Sequence, residues 1–371
     1  MAEQLKHFFR EEVVRTIARD LARVHAPFRQ DVFVRECMTA LEELELTARA
    51  RHIAEVMAAH LPQPFVRAAK VLVDSLGPEL ASSTDFGMAP FRYLPHVFFV
   101  QQFGLDDFEA AMQAQYQLTK RFSAESSIRA FLVRYPDATL TRLQQWTRDP
   151  SVHVRRLVSE GTRPRLPWAP RLRAFQEDPR PVLRLLELLK DDAERYVQRS
   201  VANNLNDIGK DHPDLAVTVC RDWTRGATPG RAWIVRHALR SLVKKGHPGA
   251  LAILGVGEKP RVNVEQVKLL PKVVQVGGEL RFSFVLANTA KGVQTLLVDY
   301  AVHFMKANGT SRPKVFKLKR LALERGARLE LSGKISFADL TTRRHYPGRH
   351  RIDLVVNGVT HPLAEFEVRA R

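Results

Sequence analysis

Apolar residues recur every three or four positions through residues 41–60, 64–76 and 107–120, the spacing that turns one face of an α-helix toward a core. The same texture runs through most of the first 257 residues. Pro62, Gly77-Pro78, Pro95, Pro136, Pro150, Pro213 and Pro229 punctuate it. After Pro260 the period changes from about 3.6 to 2, as expected of strands with one buried face. Alternating segments cover 279–287, 296–306, 315–321, 328–337 and 350–356, and Asn308-Gly309 and Asn357-Gly358 are hairpin-turn dipeptides between such segments. About seven short strands in the remaining residues predict a β-sandwich. The expected fold is mainly α, a HEAT-like helical-repeat solenoid over residues 1–257. A small all-β, immunoglobulin-like sandwich is expected over 258–371.

The helical part repeats itself. Val154-Arg155-Arg156-Leu157-Val158 resembles Val197-Gln198-Arg199-Ser200-Val201, and Ile234-Val235-Arg236-His237-Ala238 follows. Spacings near 40 residues with paired helices predict stacked units that leave an extended concave surface. Asp149-Pro150 and Asp191-Asp192 precede the second helices of their units, where a short acid is expected to cap the helix start.

Charge adds a partner. The 371 residues carry 58 lysines and arginines against 40 acids, a net charge of +18, which favours polyanions and double-stranded DNA above all. Residues 261–371 hold 20 of the basic residues and only 9 of the acids. Arg343 and Arg344 lie in a loop there, and Lys314, Lys317 and Lys319 are expected along one strand face as a second phosphate-gripping surface. A solvated basic face with a packing role is the alternative. The chain has no apolar run of membrane-spanning length, and its charged start is unlike a standard signal peptide. Two distant cysteines, Cys37 and Cys220, fit a reducing cytoplasm. Gly255-Val256-Gly257 lacks the rest of a P-loop, and the histidines show no metal-ligand spacing. The expectation is therefore a monomer with no cofactor, no metal and no obligate protein partner.

The candidate chemistry lies in acids on this basic surface. Glu125 is four residues before Arg129, Glu160 four after Arg156, and Asp207 eight after Arg199. Helical spacing puts each acid on a stripe with its arginine, and stacking of the repeats would align the three acids on the concave face. Structural ion pairs explain such spacing equally well. Carboxylates weaken phosphate binding, however, and one reason to keep them in a DNA groove is to stabilise a cationic reacting centre. Residues 159–168, Ser-Glu-Gly-Thr-Arg-Pro-Arg-Leu-Pro-Trp, join Glu160 to a rigid turn bearing Arg163, Arg165 and Trp168.

That stretch is among five that carry a resemblance. The others are Leu46-Thr47-Ala48-Arg49-Ala50-Arg51-His52-Ile53, Leu76-Gly77-Pro78-Glu79-Leu80, Arg121-Phe122-Ser123-Ala124-Glu125-Ser126-Ser127-Ile128-Arg129 and Val201-Ala202-Asn203-Asn204-Leu205-Asn206-Asp207. The helical region resembles the AlkC branch of the AlkC/AlkD DNA alkylation repair glycosylases, some of which carry an immunoglobulin-like carboxy-terminal domain. The resemblance implies excision of cationic alkylated bases, notably 3-methyladenine and 3-methylcytosine, without drawing the lesion into a deep pocket. It implies Glu125, Glu160 and Asp207 as catalytic acids, Asp207 orienting water and Glu160 stabilising charge. Trp168 is then expected against the sugar or lesion strand, with burial in the core as the alternative. Arg163 and Arg165 are expected to clamp phosphates, and Arg156, Arg199, Arg343 and Arg344 to meet the DNA. No Schiff-base lysine is evident, so a single-function glycosylase is expected. A non-catalytic HEAT scaffold that binds DNA or protein is the alternative from another class.

Overall fold

Helices followed by strands are what a computed structural model of the chain contains, with residues 5–84, 87–256, 259–339 and 344–370 described. The helices are α1 (Glu11–Val24), α2 (Gln30–Met38), α3 (Leu46–His60), α4 (Phe65–Ser75), α5 (Leu94–Phe103), α6 (Phe108–Thr119), α7 (Ile128–Arg134) and α8 (Pro136–Trp146). They continue with α9 (Val152–Gly161), α10 (Arg173–Glu177), α11 (Arg180–Leu189), α12 (Arg195–Asp211), α13 (Pro213–Thr224), α14 (Pro229–Ala238), α15 (Arg240–Lys244) and α16 (Pro248–Ile253). The strands are β1 (Val262–Leu270), β2 (Val273–Gln275), β3 (Glu279–Asn288), β4 (Gln294–Met305), β5 (Ser311–Leu323), β6 (Arg328–Ser336), β7 (Gly348–Val356) and β8 (Val359–Arg369). No helix among the described residues is long and apolar enough to cross a membrane.

The chain forms two compact units, Met1–His212 with Arg225–Ala238, and Pro213–Thr224 with Leu239–Arg371. The strand-bearing unit thus also takes in α13, α15 and α16. In the first unit, α1 buries Val14, Ile17, Ala18 and Leu21, and α11 buries Val182, Leu185, Leu186 and Leu189, the stripes the periodicity predicts. Pro95 and Pro136 sit in the first turns of α5 and α8, where a missing N–H costs nothing. Helix α8 packs on α9 and α11 on α12, while α12 also packs on both α9 and α14. The helices of Arg156, Arg199 and Arg236 are therefore neighbours, as the repeat requires.

Two local expectations are corrected. The segment 41–60 is not one helix: Leu41–Glu43 forms a 3-10 turn, and α3 starts at Leu46. The cause is Arg49, a buried residue whose guanidinium donates to the carbonyls of Leu44 at 2.8 Å and Glu42 at 3.0 Å. The acids before α9 and α12 do not cap them. Asp149 and Asp192 accept the backbone N–H two residues on, at 2.8 and 2.9 Å, closing turns before Ser151 and Glu194. Asp191 instead receives two bonds from Arg231, at 2.7 and 2.5 Å.

In the second unit the strands form a three-stranded sheet, β1-β3-β6, and a five-stranded sheet, β2-β8-β7-β4-β5. Phe282, Phe284 and Leu286 of β3 pack with Val298, Tyr300 and Val302 of β4 and with Ile352, Leu354 and Val356 of β7. These are the inward positions of alternating strands. The three lysines of β5 do not share a face. A bulge between Val298 and Asp299 sets Lys317 opposite Asp299, while Lys314 and Lys319 stand opposite the core residues Val302 and Val298. They line an edge strand, where charge discourages another strand from pairing.

The Asn357-Gly358 turn has both φ angles positive, at 48° and 80°, as a two-residue hairpin demands. A Cβ on Gly358 would fall 2.1 Å from Gly246 Cα, in the same unit. Gly358→Ala is accordingly expected to destabilise this unit by about 2 kcal/mol or more through overpacking and strain. Urea unfolding checks it, and a midpoint equal to the parent's would show that this backbone contact is not close.

Candidate active site

Helices α9 and α12 and the turns at either end of the α7–α9 layer supply the site. Glu160 is the penultimate residue of α9, Asp207 lies in the last turns of α12, and Glu125 precedes α7 rather than belonging to it. A local turn holds Glu125: Ser123 Oγ donates to Glu125 Oε2 at 2.8 Å and accepts the Glu125 N–H at 3.4 Å. The arginine stripe expected within each helix forms only once, between Arg156 and Glu160 at 3.5 Å. Asp207 does not meet Arg199, and Arg129 does not pair with Glu125.

Cations join the three acids instead. Arg156 Nη1 donates to Glu125 Oε2. Arg163 Nη1 donates to Glu160 Oε1 at 2.7 Å and Arg163 Nε to Asp207 Oδ2 at 2.8 Å. Lys210 Nζ donates to Asp207 Oδ1 at 2.7 Å. The order Glu125–Arg156–Glu160–Arg163–Asp207–Lys210 is thus a chain of alternating charge. Its accessibility is graded, with Asp207 1 % exposed and Glu160 buried, while the Glu125 side chain keeps 28 %. Lys210 reaches solvent.

Electrostatics follow from that order. Burial pushes the Glu160 carboxyl up, but the Arg156 and Arg163 guanidiniums and the hydrogen bonds from Ser200 and Arg163 outweigh it, leaving Glu160 below the ordinary carboxylate range. Ser200 Oγ reaches Glu160 Oε2 at 2.6 Å and accepts from Ser159 at 2.7 Å. Arg156 lies over the Tyr196 ring at 5.3 Å. It is held above the usual arginine range, where Glu125 and Glu160 overcome the effect of burial.

Arg129 performs a service that spacing did not reveal. Its guanidinium donates to the carbonyls of Gly161 at 3.0 Å, Arg163 at 2.7 Å and Pro170 at 2.5 Å. It thereby clamps both ends of the turn that leaves α9. Burial, and secondly the Arg163 charge, bring Arg129 down to about 10. On that turn Trp168 is 80 % exposed with φ of 62°. A bulky residue in the left-handed region is strained by roughly 1–2 kcal/mol. The core burial weighed for Trp168 is excluded, and the ring is presented to solvent by a braced backbone.

Arg163 and Arg165, expected as phosphate clamps, both hold carboxylates. Arg163 is buried between two carboxylates, and Arg165 makes two bonds to Asp211, at 2.9 and 2.5 Å. Arg156 is likewise engaged by the acids. Arg199 is exposed and has no ion pair among the described residues; Arg344 is exposed, and Arg343 lies outside the described residues. Spacing overlooked Ser123, Ser200, Tyr196, Lys210 and Asp211. Of these only Lys210, three residues after Asp207, carried a helical signal. Among the described residues no group of three or more histidines, cysteines or acids is placed to hold a metal ion. Such a site offers fixed negative charge balanced by cations, and the turn that carries Arg163 also carries an exposed aromatic ring.

Residues 120–240 match the family model described as DNA alkylation repair enzyme, and residues 263–370 match the C-terminal Ig-like domain model of the uncharacterised protein YhaZ. The chain is 34 % identical to YhaZ of Bacillus subtilis (strain 168) over 369 residues, 98 % of this chain and 99 % of that protein. A solved structure of Pseudomonas fluorescens alkylpurine DNA glycosylase AlkC, bound to DNA containing an abasic site analog, superposes with a TM-score of 0.90. It is 38 % identical and covers 99 % of this chain and 100 % of its own.

Because the Trp168 ring is exposed, Trp168→Ala is expected to change unfolding free energy by no more than about 0.5 kcal/mol. Thermal or urea unfolding measures it. A loss of several kcal/mol would mean that the ring packs within the fold.

Proposed function

The chain belongs to the AlkC branch of the AlkC/AlkD DNA alkylation repair family, and from that premise we propose that it is a DNA glycosylase acting on cationic alkylated bases in duplex DNA. Its substrates are 3-methyladenine and 3-methylcytosine, excised without flipping of the base. The observation that carries the proposal is the ion chain joining Glu125, Glu160 and Asp207.

A positively charged base is already a good leaving group. When the bond from C1′ to the base nitrogen breaks, the electron pair goes to the base, which departs neutral and needs no general acid. The deficit moves to the sugar, which becomes oxocarbenium-like, as in glycoside hydrolysis. Carboxylates near C1′ stabilise that cation most in the transition state, the condition for a rate gain. Water then adds to C1′ and gives its proton to a carboxylate. Asp207 and Glu160 remain the assigned acids for water orientation and charge stabilisation, and Glu125 is the most accessible of the three. Trp168 supplies a π-face to the lesion strand. Arg199 and Arg344, both exposed, take the phosphate role in place of Arg163 and Arg165. Lys210 is ion-paired to Asp207, which argues against Schiff-base chemistry and for a single-function enzyme.

Incubation with methylated duplex DNA and chromatography of the released bases tests this. The parent protein is expected to release 3-methyladenine and 3-methylcytosine. Glu160→Gln and Asp207→Asn should each slow release by about 100-fold or more, with the fold and DNA affinity nearly intact. DNA binding without base release by the parent protein would favour a non-catalytic scaffold. Full activity in both variants would remove these acids from the mechanism.

A further inference from the structure

We propose that Arg163 is a positioning residue, which holds Glu160 and Asp207 side by side and makes no contact with the DNA backbone. The proposal rests on the glycosylase reading above. It concerns how two acids from different helices, 47 residues apart in the chain, are kept in one place.

Arg163 is fixed at every level. Its guanidinium spends Nη1 on Glu160 and Nε on Asp207, and its side chain is 10 % exposed. Its own N–H donates to the Glu160 carbonyl at 3.2 Å, and its carbonyl accepts from Arg129 Nη1 at 2.7 Å. A phosphate could draw this guanidinium away only by leaving two buried carboxylates without their shared partner, and uncompensated buried charge is strongly unfavourable. Global stability does not demand the arrangement either, since apolar replacement of a buried ionic triad is often neutral or stabilising. What the guanidinium does specify is geometry. Its planar fork sets the spacing and angle of two carboxylates as an ammonium cannot.

It also helps to keep Glu160 charged. Without Arg163 the Glu160 carboxyl would lose one of the cations that hold it below its ordinary range, while burial would still push it up. A protonated acid offers no charge to an oxocarbenium-like sugar. The other charged and titratable groups acting on the pair are Arg129 from α7, Arg156 from α9, Tyr196 and Lys210 from α12, and Glu125 and Arg165 from the adjoining turns. None of them bridges both acids.

The test compares Arg163→Met and Arg163→Lys with the parent in three measurements: base release against pH, DNA affinity against salt, and melting temperature against pH without DNA. Arg163→Met is expected to slow release about 100-fold at neutral pH, the scale of a misplaced catalytic group. Its acid limb should move upward by at least about one pH unit, and its salt slope should stay that of the parent. Arg163→Lys should recover part of the rate.

The melting profiles should diverge in sign. Glu160 is held below its ordinary range in the parent, so its contribution is present above the unfolded pKa and fades as pH falls through the folded value. In Arg163→Met a cation that lowers Glu160 is gone, so this carboxyl rises and stability relative to the parent grows as pH falls. Parallel melting profiles together with a salt slope smaller by about one would overturn the proposal in favour of a phosphate clamp. If Arg163→Met does not fold, the same three measurements on Arg163→Lys decide. If the parent releases no base, the proposed activity fails, and the melting profiles still show whether Arg163 holds the acids.

Discussion

Glu160 and Asp207 share one guanidinium, that of Arg163, which lies between them. Taking carboxylates out of water is costly, and each is retained here by at least two charge-assisted hydrogen bonds. Everything around the pair serves that contact. Arg129 ties down the turn from which Arg163 projects, Ser200 orients Glu160 from the adjacent helix, and Arg156 extends the chain to Glu125. The packing of α9 on α12 brings the two ends together. The site is therefore a property of the stacked repeats and not of any single motif.

The chain of three acids and three cations sums to zero charge. At physiological salt a charge is felt over about 8 Å, so a distant polyanion meets only the surplus of the remaining surface, +18 in total. Attraction and chemistry are thereby separated in space. On the function proposed above, basic residues draw the duplex in, and the acids act only at contact, where burial makes each interaction stronger.

Much of the architecture was legible. The change from helical to alternating periodicity near residue 260 marks where the strands begin, and Arg156, Arg199 and Arg236 do mark neighbouring helices. Asn357-Gly358 forms the hairpin its residues require. The identities of the three acids were also readable as candidates, but their partners were not. Spacing of four assumes a helix, and Glu125 sits in a turn made by Ser123. The partner of Arg163 on α12 is 44 residues away, and that of Arg165 is 46 away. Such pairings are decided by how neighbouring helices stack and by which cation the turn after α9 aims inward. A linear pattern carries no record of either. The lysines of β5 show the same limit: Lys314 and Lys317 are an odd number of residues apart, and a bulge takes Lys319 out of step with Lys317.

Trp168 stands apart from the other three tryptophans, of which Trp146 and Trp223 are buried and Trp233 is stacked between Arg195 and His237. Its indole is largely exposed and mounted on a braced turn, so a water-soluble quencher should reach it before any of the others. The folded protein therefore carries a native optical reporter on the turn that also bears Arg163, one that needs no label to register what settles there.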